Sequence, residues 1–352
     1  GIQAHHFDLV EKTVDERLRW PSSADCDDRA VQGLAQGSLR KLLLHDKDCE
    51  DFWFDVGAQV FGPLLLGKFI WLLANLAREP VDKVLFFARD GLFCHRLYER
   101  YASDFDVHIP SEYVYFSRAT LLVPSFTDMN IHRLWHLFSG RKARSVGNHL
   151  GRLDINAIEV EREIRACGFA SADESVHYSD QRMHDLLSRL YPFILRTAKR
   201  RREAVLPYIG QVAEKHRRLA IVDIGWVGNM QGSFSRLLQL LRTDYSIDGY
   251  YFGTFHGISA NRLPRNRYQG YLVNAGDPHD RYQALVSGGV ELMEFALMAP
   301  HGTTLGYRMT EGMIMPILED NPDDRAMQSL SSRVQEGAMR FVETALPVVV
   351  AT

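Results

Sequence analysis

An unbroken apolar run closes on a charged turn in the stretch Val84-Leu85-Phe86-Phe87-Ala88-Arg89-Asp90-Gly91. The apolar residues do not alternate with polar ones, which is typical of a strand buried on both faces of a parallel sheet. Helical spacing resumes over residues 92–101, so the stretch predicts a strand, a sharp turn and a helix. Because this order recurs along the chain, we predict an α/β fold with a parallel sheet flanked by helices.

Four more short runs of this kind predict strands at residues 113–116, 219–222, 250–254 and 271–273. Residues 307–318 predict a hairpin that turns at Glu311-Gly312. Gly62-Pro63 predicts the start of an apolar helix through Arg78. We interpret that helix as buried, because polar and glycine residues interrupt it too often for a membrane span.

The patterns divide the chain into five segments. We predict a helical N-terminal segment (1–60), a first part of the α/β core (61–126), a helical insertion or cap (127–218), a second part of the core (219–318) and a C-terminal helical segment (319–352). The chain opens on Gly1 rather than Met, which is compatible with a segment of a longer polypeptide.

Composition narrows the class of protein. The chain has 352 residues, of which 46% are hydrophobic and 24% charged, which is ordinary globular composition. A net charge of −3 gives no basic field, so we expect no nucleic-acid partner. The four cysteines are far apart and form no CxxC pair, which argues against a disulfide scaffold or a zinc knuckle. Since no signal peptide opens the chain, we predict a cytoplasmic location.

The turn after the first strand is one candidate site, because ligands of open parallel sheets lie beyond the carboxyl ends of the strands. Arg89 could hold phosphate oxygens in a bidentate fork, and Gly91 would let backbone amides approach an anion. Asp90 is a candidate catalytic acid in the same turn. The alternative is an ordinary turn in which Arg89 pairs with Asp90.

The stretch after residues 219–222 is the second candidate site. Asp223 ends the run, and its carboxylate could bind sugar hydroxyls or a divalent cation. The loop that follows could surround a phosphate with its amides; its residues are Gly225, Trp226, Val227, Gly228, Asn229, Met230 and Gln231. The alternative is an aspartate that caps the next helix, with the glycines present for packing.

Other polar residues are weaker candidates. Ser117 and Arg118 end the second predicted strand, and a cation there suits a ligand with several phosphates. Glu291 and Glu294 share one helix face and could include a general base, although a solvated face explains them equally well. The basic cluster of Arg196 and residues 199–202 is either a solvated helix face or a contact for an anionic acceptor or a membrane surface.

Together, residues 87–91, 115–118, 223–231 and 291–302 resemble bacterial polysaccharide-biosynthesis proteins that are often described as hydrolases of the haloacid dehalogenase class. The C-terminal part of those proteins is similar to a glycan phosphoribosyltransferase, itself related to type I phosphoribosyltransferases. The resemblance covers residues 55 to 318.

The resemblance implies a phosphoribosyltransferase-like sheet and transfer of ribose 5-phosphate from phosphoribosyl pyrophosphate to a glycan of a capsule or O-antigen. The loop Gly225–Gln231 would hold the 5-phosphate and Asp223 the ribose hydroxyls. Residues 89–91 and Arg118 would bind pyrophosphate, with Mg²⁺ as cofactor. The acceptor could be lipid-linked, which would bring the protein to the inner face of the membrane, and a partner phosphatase would then leave ribofuranose.

The sequence departs from the related enzymes in ways that favour a large acceptor over nucleotide salvage. Ile224 stands where a second acid is usual, and Asn229 and Gln231 replace threonines. One alternative function is a phosphatase of the haloacid dehalogenase class, for which Asp46 and Asp48 have the required spacing in an unfavourable polar segment. Another is a non-catalytic sugar-phosphate-binding subunit.

Overall fold

The computed structural model describes residues 37, 51–127, 143–177, 179–261, 263–275 and 283–351. Asp46 and Asp48 lie outside these residues. The chain divides into two compact units, one formed by residues up to Ile70 together with those from Leu330 onward, and the other by Trp71–Ser329. The five-segment division remains a prediction.

The strands are β1 (Lys83–Phe87), β2 (Ser111–Val114), β3 (Arg144–Ser145), β4 (Ser175–Val176), β5 (Arg218–Val222), β6 (Gly225–Trp226), β7 (Ser246–Thr254), β8 (Asn266–Val273), β9 (Thr304–Thr310) and β10 (Met313–Leu318). The α-helices are α1 (Phe52–Val56), α2 (Gly62–Arg78), α3 (Leu92–Tyr101), α4 (Arg118–Leu121), α5 (Val146–Gly151), α6 (Glu161–Ala166), α7 (Gln181–Arg189), α8 (Tyr191–Ala213), α9 (Asn229–Leu241), α10 (Gln283–Gly288), α11 (Val290–Ala296) and α12 (Pro322–Ala351).

The larger unit is built on a parallel sheet with the order β2-β1-β5-β7, and both β6 and β8 pair with β7. Strands β5 and β6 both pair with β7, and β6 pairs with the part of β7 that lies beyond the end of β5. All five residues of β1 are buried, as expected for a strand covered on both faces. The predicted parallel sheet flanked by helices is confirmed.

The core on one face of the sheet is formed by α8 and α9. Val205 and Ile209 of α8 and Phe234 and Leu237 of α9 pack in one cluster with the side chains of β1, β2 and β5. The chain order reverses between β1 and β5, which are neighbours in the sheet. A crevice at their carboxyl ends is therefore expected.

Residues between β2 and β5 form a second hydrophobic core of their own. Its members include Val146 and Leu150 of α5, Ile164 of α6 and Leu186 of α7. The segment is mainly helical, as predicted, but it also contains the short antiparallel pair β3–β4.

The hairpin β9–β10 confirms the predicted turn. Glu311 and Gly312 both have positive φ angles, 52° and 80°. Two consecutive residues in that region form the kind of two-residue turn whose twist matches antiparallel strands.

Helix α2 begins at Gly62, as predicted, but it continues a helical run that starts at Phe52. Asp51 caps the helical run by accepting hydrogen bonds from the N–H groups of Trp53 and Phe54. The run then passes through a π-helical turn, Gly57–Phe61, into α2. Pro63 has no N–H group and cannot donate a helical hydrogen bond, and the wider π-helical turn lies directly before it.

The whole run, Phe52–Arg78, has 27 residues, and among the described helices it alone is long and apolar enough to cross a membrane. Half of its most apolar window is buried inside the protein, as in a core helix.

Candidate functional site

A cavity of about 1270 Å³ opens at the carboxyl ends of β1, β2 and β5, at the crevice that the topology provides. It is lined by most of the predicted site residues: Arg89, Asp90, Ser117, Arg118, Asp223, Gly225, Trp226, Val227, Asn229, Met230, Glu291 and Glu294. The structure therefore brings together the two turns that the sequence singled out. Gly91, Gly228 and Gln231 are not among the lining residues.

The turn after β1 is tight because Gly91 packs on the strand that precedes it. A Cβ atom at this position would lie 2.6 Å from the carbonyl oxygen of Phe87, and the Gly91 N–H donates to that same oxygen at 2.8 Å. Gly91 has an ordinary φ of −76°, so close approach rather than unusual backbone conformation requires glycine. Gly91 does not line the cavity, and its own N–H group is occupied within the turn.

The two residues before Gly91 face the cavity instead. Within the described part of the chain, the backbone N–H groups of Arg89 and Asp90 have no acceptor. The Arg89 guanidinium donates to the Asp324 carboxylate at 2.9 Å, and both side chains are one-quarter exposed. The alternative pairing of Arg89 with Asp90 does not occur. Arg89 is thus held at the rim by a carboxylate from α12.

Asp90 lies in an acidic surrounding. Burial, together with the charges of Asp223 and Glu294, raises its pKa to about 8, although Arg89 and Arg118 oppose the shift. Asp90 is therefore largely protonated at neutral pH in the ligand-free protein. A bound cation would reverse this balance, because it favours the carboxylate form.

Asp223 is 7% exposed and lines the cavity directly after β5. One carboxylate oxygen accepts a hydrogen bond from the N–H of Ile224 at 2.8 Å. This contact orients the side chain at the end of the strand. Helix α9 itself begins after Gly228, a residue that has no side chain with which to cap it.

The two glycines of this loop have separate packing reasons. Gly225 has a φ of 133°, and a Cβ atom there would lie 2.3 Å from the carbonyl oxygen of Gly253 in the neighbouring strand. Gly228 has a φ of 69° and lies directly before α9. A Cβ atom at Gly228 would meet the ring of Tyr268 at 2.7 Å. The loop therefore approaches β7 and β8 too closely for other residues.

The first turn of α9 faces the cavity through Asn229 and Met230. The N–H groups at a helix N-terminus attract anions, since they combine hydrogen-bond donors with the positive end of the helix dipole. The backbone of this turn is therefore suited to a phosphate group.

Gln231 does not contact the cavity. Its side-chain amide donates to the carbonyl oxygens of Ile247 and Arg267 at 3.3 and 3.1 Å, and its side-chain oxygen accepts from the Tyr251 hydroxyl at 2.5 Å. The residue is completely buried. The side chain of Gln231 is therefore engaged within the fold, where its polar atoms connect α9 to β7 and β8.

Ser117 is also committed to the fold. Its hydroxyl accepts from the Thr120 N–H at 3.2 Å in a capping box and donates to the Thr304 carbonyl oxygen at 2.6 Å. The substrate contact predicted for Ser117 is therefore not supported by its geometry. Arg118, the next residue, is exposed on the cavity and has no carboxylate within salt-bridge distance in the described ranges.

Glu291 and Glu294 of α11 both line the cavity, as their spacing predicted. Glu294 is close enough for its charge to act on Asp90. His301, which follows α11, is engaged elsewhere: its Nε2 lies 2.8 Å from the Tyr113 hydroxyl and its Nδ1 2.9 Å from the Gly302 carbonyl oxygen.

The sequence did not single out Arg144, Asn148, Arg152 or Glu319, which also line the cavity. Arg201 lines it as well, although it was assigned only to a basic cluster. The isolated arginines follow none of the long buried strands that mark the other site residues. No local pattern distinguishes them from surface residues.

Among the described residues, no group of three or more His, Cys, Asp or Glu side chains is arranged to hold a metal ion. Asp90 and Asp223 nevertheless provide hard oxygen ligands in an environment whose negative charges repel one another. Such a pair fits Mg²⁺, which commonly uses one or two carboxylates and completes its shell with water and substrate phosphates.

Comparison with known proteins gave no relative for this chain. No protein-family model matches the sequence, and the search of curated proteins found no significant match.

Proposed function

We propose that the protein is a glycan phosphoribosyltransferase that transfers ribose 5-phosphate from phosphoribosyl pyrophosphate to a glycan acceptor and releases pyrophosphate. The observation that carries this proposal is the convergence of the β1 turn and the β5–α9 loop on one cavity. One brings an arginine with two unbonded amides, and the other brings a carboxylate beside the N-terminus of a helix. A phosphorylated pentose with a diphosphate needs all of these groups.

In this proposal the 5-phosphate lies at the start of α9, where Asn229 and Met230 present the first turn of the helix. Asp223, at the end of the preceding strand, accepts hydrogen bonds from the ribose 2- and 3-hydroxyls. Its fixed orientation by the Ile224 N–H supports that role, because a preoriented acceptor loses little freedom when the sugar binds.

The pyrophosphate group lies against the β1 turn. The N–H groups of Arg89 and Asp90 donate to its oxygens, and the guanidinium groups of Arg89 and Arg118 neutralise its charge. In the reaction the bond between ribose C1 and the pyrophosphate oxygen breaks, and its electron pair leaves with pyrophosphate. Donors placed on that group lower the barrier because the negative charge grows there in the transition state.

The acceptor hydroxyl oxygen forms the new bond to C1 on the opposite face, which converts an α-donor into a β-ribofuranoside. Its proton passes to a carboxylate of the cavity, for which Glu291 and Glu294 are the candidates. Bound Mg²⁺, held by Asp223 and Asp90 together with donor oxygens, would supply further charge neutralisation at the pyrophosphate.

The product keeps the 5-phosphate, so a phosphatase must act after the transfer to leave ribofuranose in the polysaccharide. A cytoplasmic location, at the membrane when the acceptor is lipid-linked, belongs to this proposal.

The test is to incubate the protein with phosphoribosyl pyrophosphate and Mg²⁺, with and without glycan acceptors, and to measure pyrophosphate and inorganic phosphate separately. Acceptor-dependent release of pyrophosphate supports the transferase. Release of inorganic phosphate from ribose 5-phosphate would instead indicate a phosphatase, and saturable donor binding without turnover would indicate a binding subunit.

A further inference from the structure

The cavity has a second charged wall, of which donor binding uses only Arg118. Arg118, Arg144 and Arg152 line it from the start of α4, from β3 and from the residue after α5. In the part of the chain that the structure describes, none of the three has a carboxylate within 4.0 Å. We refer to these residues as the arginine cluster.

The members of the arginine cluster act on one another. The half-buried Arg152 has a lowered pKa because of burial and because the charges of Arg144 and Arg118 repel its own. Like charges gathered on one wall of a cavity repel one another, and a bound anion would relieve that repulsion. Arg201 beside them differs, because it pairs with Asp154 at 3.6 Å and donates to the Ala119 carbonyl oxygen.

Two features separate the arginine cluster from the donor groups. Arg144 and Arg152 belong to the inserted helical segment with its own hydrophobic core, whereas Asp90, Asp223 and the α9 N-terminus belong to the sheet. The cavity, at about 1270 Å³, is also larger than the 300–1,000 Å³ of ordinary small-ligand pockets, so it can hold a donor and part of a second substrate.

We propose that Arg144 and Arg152, with Arg118 at the boundary to the donor, bind an anionic group of the acceptor, either a phosphate or a sugar carboxylate. This inference rests on the proposed function and names the substrate class: the acceptor is a negatively charged glycan. Guanidinium forks bind both groups in the same bidentate way, so the experiment must distinguish them.

The experiment is calorimetric titration of inorganic phosphate, and separately of glucuronate, into protein saturated with phosphoribosyl pyrophosphate and Mg²⁺. We expect one saturable site for at least one of the two anions. Arg144→Gln and Arg152→Gln should each weaken that binding at least tenfold and leave donor affinity within twofold. Arg165→Gln is the matched control, because Arg165 lies in the same segment but pairs with Glu161 on the surface.

Thermal melting of the same variants shows whether each of them still folds. Relief of like-charge repulsion predicts an unchanged or higher melting temperature for Arg152→Gln. The proposal is overturned if neither anion binds donor-saturated protein, or if the two substitutions reduce donor affinity as much as anion affinity. If the donor itself does not bind, the proposed function fails, and the titration of free protein still decides whether the arginine cluster is an anion site.

Discussion

The two walls of the cavity differ in origin. The acidic wall, Asp90 and Asp223, follows two adjacent strands of the sheet, and its geometry is set by backbone that packs too tightly for any residue but glycine. The arginine cluster comes mainly from short elements of the inserted segment, where Gly151 beside it has open space around it. The sheet therefore supplies backbone that is held by close packing, whereas the insertion supplies charged side chains on backbone with open space beside it.

The largest expected effect is on the acidic wall. Asp223→Asn keeps the acceptor for the Ile224 N–H but removes the negative charge, so we expect transfer to fall on the order of 10²–10⁴-fold with an intact fold. Steady-state pyrophosphate release measures the effect. The exposed Asp173→Asn is the control for charge, and wild-type activity in Asp223→Asn would remove this residue from the site.

A matched pair of glycines tests the rigidity of the two walls. Gly225→Ala places a Cβ atom against the Gly253 carbonyl oxygen at a positive φ, and should lower the free energy of unfolding by roughly 3 kcal/mol. Gly151→Ala, in the opposite wall, should change it by less than about 0.5 kcal/mol. Chemical denaturation gives both values, and equal destabilisation would contradict the contrast.

The pH dependence of stability tests the acidic surrounding of Asp90. Its folded pKa is raised from 3.8 to about 8, so the folded protein binds the extra proton and stability falls as pH rises between these values. Asp90→Asn removes this dependence. We expect its stability advantage over wild type to grow from about pH 4 to about pH 8, to about 1–3 kcal/mol, and then to level off.

Melting curves at several pH values measure that advantage. Glu294→Gln should reproduce a smaller part of it, since the Glu294 charge is one cause of the shift. A constant difference between Asp90→Asn and wild type across this range would show that Asp90 does not titrate there.

The smallest expected effect concerns the ion pair at the rim. Arg89→Gln should weaken binding of phosphoribosyl pyrophosphate about tenfold, because it removes a charged donor to the leaving group. Asp324→Asn cuts the same ion pair from its other end, and should strengthen binding by no more than about threefold, since partly exposed pairs contribute little. Equal loss of affinity in both variants would mean that the pair matters for structure and not for the donor.

The sequence determined much of this site because buried strands leave a strong local signal. Runs such as 84–88 and 219–222 cannot be solvated, so their ends and the residues that follow, Asp90 and Asp223, are placed at one edge of a parallel sheet by pattern alone. The helical spacing of Glu291 and Glu294 predicted that they share one helix face, and both residues line the cavity.

Only the tertiary structure showed which polar side chains form hydrogen bonds within the protein and which face the cavity. Ser117 and Gln231 follow the same local pattern as their neighbours, but hydrogen bonds to distant residues occupy them. Arg144 and Arg152 carry no local signal, because their position depends on how the inserted segment packs around its own core. Local sequence determines strand ends through burial, whereas contacts between residues far apart in the chain are determined only when the whole unit packs.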